Sequence, residues 1–271
     1  MLQKNDTLEV TVTDAKKYLS GMAGFTAYSS AYVMTNEELR HALKDISSNT
    51  KNALTVVGSG DHPMFTKLYG AKDIDTFDIS YNAKLVMDIK TTALSVLDYP
   101  EYCRLLVEMA KVDVKNIKSL PLVADLLPND EKIYLQQMKD FFIFRHEKSP
   151  EKNKALPTKN EFIQMRKTIT KPFNFIWTDV CDLHKKLTKK YDFIHLSNVF
   201  DYLPIGTSVD VLYRLCHYTN PGAIICIVGF VRDVRYIYNQ ITDEHSRNNT
   251  GQIWKCCELL SSCTCLLFRV R

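Results

Sequence analysis

Short apolar runs alternate with longer amphipathic stretches along this chain. Leu54–Val57 and Ile74–Ile79 have the length and composition of buried parallel strands. Four later runs predict further strands: 175–180, 191–198, 223–231 and 264–270. The third of these follows an expected turn at Asn220–Gly222, and the last is expected to be an edge or antiparallel strand. Helical spacing covers 84–109, with a break expected at Pro100, and resumes over 133–144.

Strands that alternate with helices in this order predict a doubly wound α/β fold with a mostly parallel, seven-stranded type of sheet. About 95 residues separate the second and third strands, where a crossover needs about a dozen. We therefore expect a helical insertion, or cap, at 84–172. Residues 1–50 are expected to form a helical N-terminal lid, with a helix start at Thr35–Leu39. All 271 residues would then form a single domain.

Composition narrows the class of protein. The 35 basic and 31 acidic residues are nearly balanced, so no nucleic-acid partner is expected. No apolar run reaches 18 residues and the first residues lack an apolar signal core, which predicts a cytoplasmic protein without a membrane span. Peripheral contact with a membrane stays open. The eight cysteines are expected to be reduced. Cys256, Cys257, Cys263 and Cys265 do not have zinc-ligand spacing, so no metal is expected.

A glycine-containing turn directly after the first sheet strand is the main chemical signal. Gly58 and Gly60 allow the backbone to approach a ligand closely, and Ser59 and Asp61 complete the turn. Asp78 lies near the end of the second strand, about 20 residues further on, where an acid can bind a ribose hydroxyl pair. The segment therefore predicts a nucleotide-type cofactor.

Three cofactor classes compete for this turn. A third glycine, which the dinucleotide motif requires, does not follow Gly60, and the chain contains no P-loop sequence. S-adenosylmethionine (SAM) has no pyrophosphate, and its binders need a glycine turn, a ribose-binding acid and often a further acid near the adenine. Asp61, Asp78 and Asp179 occur in that order, which favours SAM.

The chain also resembles a known family. The segments Val57–Asp61, Gly70–Ala71, Phe77–Ser80, Met87–Lys90 and Tyr191–Leu203 are similar to motifs of the betaine-lipid synthases, which are SAM:diacylglycerol 3-amino-3-carboxypropyltransferases. The resemblance implies a class I methyltransferase-like fold, SAM as co-substrate and a small-molecule or lipid-head acceptor. The family's tryptophan–acid element before the first strand is absent from this sequence.

The expected site combines the turn with the later strand ends. The cofactor-binding residues are expected to be Gly58, Ser59, Gly60, Asp61, Asp78, Ile79, Asp179, Val180, Ser197 and Asn198. Asp201 and His62 are the candidate catalytic bases, whereas His195 lies in an apolar strand and is expected to be a core residue. Tyr28 and Tyr32 are expected to close over the substrate, because aromatic faces attract the sulfonium cation.

Two transfer reactions and two other functions stay open. The carbon attacked on SAM can be the methyl carbon or the γ-carbon of the methionine arm, which gives methyl or 3-amino-3-carboxypropyl transfer. A non-catalytic SAM- or nucleoside-binding regulator and a nicotinamide-dependent reductase are the alternatives.

Overall fold

A computed structural model describes residues 30–44, 46, 49–111, 114–138, 144–145, 147–228, 257–261 and 265–270. The chain divides into two compact units. The sheet unit takes its described residues from Glu37–Val56, Phe65–Asp78 and Phe173–Arg271. The helical unit takes its described residues from Met1–Asn36, Val57–Met64 and Ile79–Pro172.

The sheet unit contains a seven-stranded sheet. Its strands are β2 (Asn52–Val56), β3 (Asp73–Asp78), β5 (Asn174–Trp177), β6 (Tyr191–His195), β7 (Thr219–Val228), β8 (Cys257–Ser261) and β9 (Cys265–Val270). Their spatial order is β5-β3-β2-β6-β7-β9-β8. Strand β9 runs antiparallel to its neighbours β7 and β8, and the other described neighbours in this sheet are parallel. The mixed, mostly parallel α/β architecture predicted from the sequence is confirmed.

Three helices and a 3₁₀ turn accompany the strands of the sheet unit: α1 (Leu39–Ala42), α8 (Val180–Leu183), α9 (Ile205–Cys216) and the turn Val199–Tyr202. One core forms where strand residues such as Leu54 and Ile194 meet Leu183 and Leu212 of the helices. All four side chains are fully buried, as expected for apolar residues of a sheet that is covered by helices.

Hydrogen bonds fix polar groups within this sheet. Tyr191 on β6 donates its hydroxyl to Asp75 on β3 at 2.6 Å, across the intervening strand β2. Burial and the Asp75 carboxylate raise the pKa of Tyr191 well above its ordinary value, so the phenol keeps its proton. Tyr191 and Asp75 therefore satisfy each other's polar groups inside the sheet.

One strand prediction needs correction. The segment Asn220–Gly222, expected to be a turn, belongs to β7, although the pairing of β6 with β7 shifts register there. Residues 229–231, expected to extend that strand, lie outside the described residues. The final strand, expected to be an edge or an antiparallel strand, is β9, which is antiparallel and lies between β7 and β8.

The helical unit is built around α3 (Tyr81–Val96) and α4 (Tyr99–Met109). Ser80 caps α3 by accepting the N–H of Ala83, and Asp98 and Glu101 form a capping box at the start of α4. The break expected at Pro100 lies at Leu97–Asp98, because Pro100 fits within the first turn of the new helix.

The other elements of this unit are short. They are β1 (Ala31–Tyr32), β4 (Phe144–Arg145), α5 (Leu120–Ala124), α6 (Asn129–Gln137), α7 (Lys159–Thr168), and the 3₁₀ turns Val114–Asn116 and Pro150–Lys152; helix α2 (Asp61–Leu68) begins here and ends in the sheet unit. Strands β1 and β4 pair in parallel as a two-stranded sheet. The role of 84–172 as a cap, and of 1–50 as a lid, stays a prediction.

Two local predictions for helices were wrong. The helix expected to start at Thr35 begins at Leu39 after Glu38, and the N–H of Thr35 donates instead to the Asp61 carboxylate at 2.8 Å. The helix expected over 133–144 ends at Gln137, and Phe144 lies in β4. Within the part of the chain that the structure describes, no helix is long and apolar enough to cross a bilayer.

Candidate functional site

The glycine turn after β2 has the backbone that only glycine adopts readily. Gly58 and Gly60 have φ angles of 55° and 80°, and the N–H of Gly60 donates to the carbonyl of Val57 at 2.7 Å. A Cβ on Gly58 would lie 2.9 Å from Cε1 of His62, and one on Gly60 would lie 2.8 Å from Cα of Met87. Atoms of the protein itself, and not only an expected ligand, therefore lie too close to both glycines to leave room for a Cβ.

The polar residues of the turn bind each other. Asp61 is almost fully buried, and its carboxylate accepts from the Ser59 hydroxyl at 2.8 Å and from the N–H of Thr35. The ammonium group of Lys90, on α3, also donates to this carboxylate. Three internal donors thus hold the Asp61 side chain. Its expected contact with a cofactor stays a prediction, and so does that of Ser59.

His62 is the second residue of α2 and is buried. Its Nδ1 lies 3.3 Å from the carbonyl oxygen of Val57, the same carbonyl that accepts from Gly60. The imidazole therefore supports the turn from the helix side. A role as a base stays a prediction.

Tyr32 is the last residue of β1 and is half-buried. The guanidinium group of Arg145, on the paired strand β4, lies 4.4 Å from the centre of the Tyr32 ring. This cation–π contact uses the aromatic face that was expected to meet a sulfonium. Tyr28 lies outside the described residues.

The predicted acids of the sheet unit lie at strand ends. Asp78 is the last residue of β3 and is buried, and its carbonyl accepts the N–H of Thr178 at 3.1 Å, which joins the ends of β3 and β5. The Asp179 side chain is exposed and caps α8 by accepting the N–H of Cys181 at 2.7 Å. Val180 is buried in the sheet-unit core. Ile79, the residue after β3, is half-buried in the helical unit.

A strained turn follows β6. Ser197 has a φ of 54°, a conformation that residues with a Cβ rarely adopt, and its carbonyl accepts the N–H of Val228 at 2.8 Å. Its hydroxyl donates to the buried carboxylate of Glu37. The Glu37 carboxylate also lies 3.9 Å from Nε2 of His195, which is fully buried as expected for a core residue.

The 3₁₀ turn after Ser197 carries the other two candidates. Asn198 is half-buried, with its side-chain oxygen 3.3 Å from the Ser197 hydroxyl. Asp201 is buried, and its N–H donates to the carbonyl of Asn198 at 3.0 Å. The structure thus brings Ser197, Asn198 and Asp201 together, with Glu37 beside them.

The sequence analysis did not identify Glu37 and Lys90 as contact partners of the predicted site residues Ser197 and Asp61. Lys90 lies on the same face of α3 as the buried Val86, Met87 and Leu94, so a lysine inside an apolar helical stripe was the available signal. Glu37 follows Thr35 in a segment interpreted as a helix start. No local pattern marks it, because its partner Ser197 is 160 residues away.

Comparison with protein-family models finds no match, and no curated protein is significantly similar. Among solved structures, the chain is similar to N-methyltransferase NodS from Bradyrhizobium japonicum WM9 in complex with S-adenosyl-L-homocysteine, with 11% identity, 96% of this chain and 97% of that chain covered, and a TM-score of 0.40.

Two further solved structures are similar at the same level. The O-methyltransferase from Bacillus cereus in complex with S-adenosyl-L-homocysteine is 7% identical over 100% of this chain and 93% of that chain, with a TM-score of 0.43. The ribosomal protein L11 methylase from Lactobacillus delbrueckii subsp. bulgaricus is 10% identical over 86% and 75%, with a TM-score of 0.41. Because these values are low, they assign neither a family nor a substrate to this chain.

Proposed function

We propose that this protein is a SAM-dependent transferase that moves a methyl or a 3-amino-3-carboxypropyl group to a small-molecule or lipid-head acceptor. The observation that carries the proposal is the carboxyl edge of the sheet. A turn with two left-handed glycines follows β2 directly, and the neighbouring strand β3 ends on the buried acid Asp78. This combination suits a ribose and a methionine arm without a pyrophosphate.

The order of the strands in the sheet also supports the carboxyl edge as the place where the ligand binds. From β2 the chain moves outward to β3 and then β5, and it returns to β6 on the other side of β2. Ligands of open α/β sheets bind outside the carboxyl ends of the strands where the order reverses. Here that reversal lies between β2 and β6, and the strained residue Ser197 follows β6 closely.

The chemistry requires alignment more than acid–base catalysis. An acceptor nucleophile attacks a carbon bonded to the sulfonium, the C–S bond breaks, and the sulfur keeps the electron pair. Attack on the methyl carbon leaves S-adenosylhomocysteine, whereas attack on the γ-carbon leaves methylthioadenosine. A base is needed only for a hydroxyl or a protonated amine, and Asp201 is the candidate for that role.

Labelled SAM tests the proposal. The protein is incubated with SAM labelled in the methyl group or, separately, in the carboxyl carbon, together with a total lipid extract or a small-molecule extract as the acceptor source. Transfer of the methyl label alone identifies methyl transfer, and transfer of the carboxyl label alone identifies aminocarboxypropyl transfer. Asp201→Asn is expected to lower the transfer rate at least about tenfold.

Two results of this experiment would contradict the transferase proposal. If neither label moves to any fraction and S-adenosylhomocysteine does not bind, the transferase proposal is wrong. Binding without turnover, with no effect of Asp201→Asn, would instead identify a regulatory SAM-binding protein. The expectations of a cytoplasmic location, no metal and no nucleic-acid partner are kept as part of this proposal.

A further inference from the structure

Lys90 is a charged residue in the interior of the helical unit. It is fully buried on α3, among the apolar side chains of Val86, Met87 and Leu94 on the same helix face. Lysine is almost never fully buried unless its ammonium group is paired and hydrogen-bonded. Because burying this charge costs free energy, the ammonium group needs hydrogen-bond partners in the interior of the unit.

The ammonium group of Lys90 has three acceptors for its three hydrogens. It donates to the carbonyl of Val33 at 2.8 Å, to the carbonyl of Ser59 at 3.1 Å and to the Asp61 carboxylate. Burial lowers the pKa of Lys90 below its ordinary value, and the Asp61 charge opposes this effect. One side chain therefore joins α3, the glycine turn and the segment before α1.

The segment Val33–Thr35 is held by charged side chains at three successive residues. The Val33 carbonyl accepts from Lys90, and the N–H of Thr35 donates to Asp61. The N–H of Met34 donates to the carboxylate of Glu147, which burial keeps at a raised pKa. All three residues of the segment are buried. Neither helix nor sheet bonds satisfy these backbone groups, so the segment depends on side chains for its position.

We propose that Lys90 is a positioning residue that couples the segment Val33–Thr35 to the glycine turn, so that the turn binds its ligand only while the segment is docked. The proposal rests on the proposed SAM-binding function of the turn. Lys90 itself does not touch the ligand. It fixes the Ser59 carbonyl and the Asp61 carboxylate, and thereby the backbone between the two left-handed glycines.

Four variants separate positioning from simple charge compensation. Lys90→Met leaves the Asp61 carboxylate buried without its cation, so it is expected to lower both stability and affinity for S-adenosylhomocysteine, the latter at least about tenfold. The double variant Lys90→Met/Asp61→Asn removes the unpaired charge and is expected to recover stability. Its affinity is expected to stay at least about tenfold below that of Asp61→Asn alone, because the Val33 and Ser59 carbonyls still lack their donor. If the methionine variants do not fold, Lys90→Arg replaces them in the same measurements.

Lys84→Met is the matched control on the same helix. Lys84 pairs with Asp88 and Glu131, so its loss is expected to change stability while affinity for S-adenosylhomocysteine stays within about twofold of wild type. Hydrogen exchange gives a readout that does not need a ligand. The Met34 and Thr35 amides are expected to exchange at least about tenfold faster in Lys90→Met/Asp61→Asn than in Asp61→Asn alone, and to keep the wild-type rate in Lys84→Met.

The outcomes distinguish this inference from the proposed function. A stable double variant with the same affinity, and the same exchange at Met34 and Thr35, as Asp61→Asn alone would show that Lys90 only compensates Asp61, and the coupling would be wrong. If the wild-type protein does not bind S-adenosylhomocysteine, the SAM function and the affinity effect both fail. The exchange rates of Met34 and Thr35 then decide the coupling alone.

Discussion

Single residues shape the glycine turn through contacts within the protein. Gly58 and Gly60 were identified from the sequence as a place where a ligand comes close. The structure shows that the nearest groups are the His62 ring and the backbone of Met87. Glycine is required here because the first turns of α2 and the helix α3 lie against the loop, and this holds with or without a ligand.

Replacing Gly60 by alanine tests whether the close approach of Met87 requires glycine there, and Gly222, a second left-handed glycine, is the control. Gly60→Ala forces a Cβ to 2.8 Å from Cα of Met87, whereas Gly222→Ala has the same φ problem with nothing within 4 Å. The left-handed conformation is expected to cost each variant about 1–2 kcal/mol. Gly60→Ala is expected to lose at least about 1 kcal/mol more, because α3 must shift. Urea unfolding measures both free energies, and equal losses would refute the close-approach argument.

The helices α3 and α6 are joined by a buried charged cluster. Lys84 on α3 donates to Asp88 at 2.7 Å and to Glu131 on α6, whose side chain is fully buried. Burial first, and then the Asp88 charge, raise the pKa of Glu131 to about 8, while Lys84 opposes the shift. The stability that this cluster gives to the packing of α3 against α6 therefore depends on pH.

This cluster predicts a pH dependence of stability. Below the ordinary pKa of 4.5, Glu131 is protonated in both states and its contribution is complete. Above 4.5 the unfolded chain releases the proton first, so the contribution is lost as the pH rises to about 8. The free energy of unfolding is expected to fall between pH 5 and pH 8.5, and less steeply in Glu131→Gln.

An exposed glutamate is the control for that measurement. Glu151 pairs with Lys111 at 2.9 Å, and this partner lowers the pKa of Glu151, so it titrates below the tested range. Glu151→Gln is therefore expected to keep the wild-type slope. Parallel slopes for wild type and Glu131→Gln would contradict a protonated Glu131 at neutral pH.

Some strands can be predicted from the sequence and others cannot. Buried parallel strands such as β2 and β6 can be predicted because most of their residues are buried, so the sequence there is short and rich in apolar residues. The pair β1–β4 is not readable, since each strand has two residues and the partners are more than 100 residues apart. The same distance problem hid Glu37, whose position beside Ser197 depends on tertiary structure.

At the scale of the whole molecule, the chemistry-bearing residues fall into the two units. The sheet unit contains Asp78 and the strained Ser197 at strand ends, and the helical unit contains the glycine turn. The position of Asp78 at the carboxyl edge of the sheet could be predicted, because parallel strands bring their carboxyl ends to one edge. The acceptor could not be predicted, since the segment between β3 and β5 carries no readable chemistry.

The central claim is that the turn after β2 and the acid at the end of β3 bind SAM. Isothermal titration of the full chain with S-adenosylhomocysteine, methylthioadenosine and NAD tests it most directly. We expect saturable 1:1 binding of at least one sulfur nucleoside with Kd between about 1 µM and 1 mM, no saturable heat with NAD, and at least about tenfold weaker binding in Asp78→Ala. Saturable binding of NAD, with no heat from either sulfur nucleoside, would contradict the account.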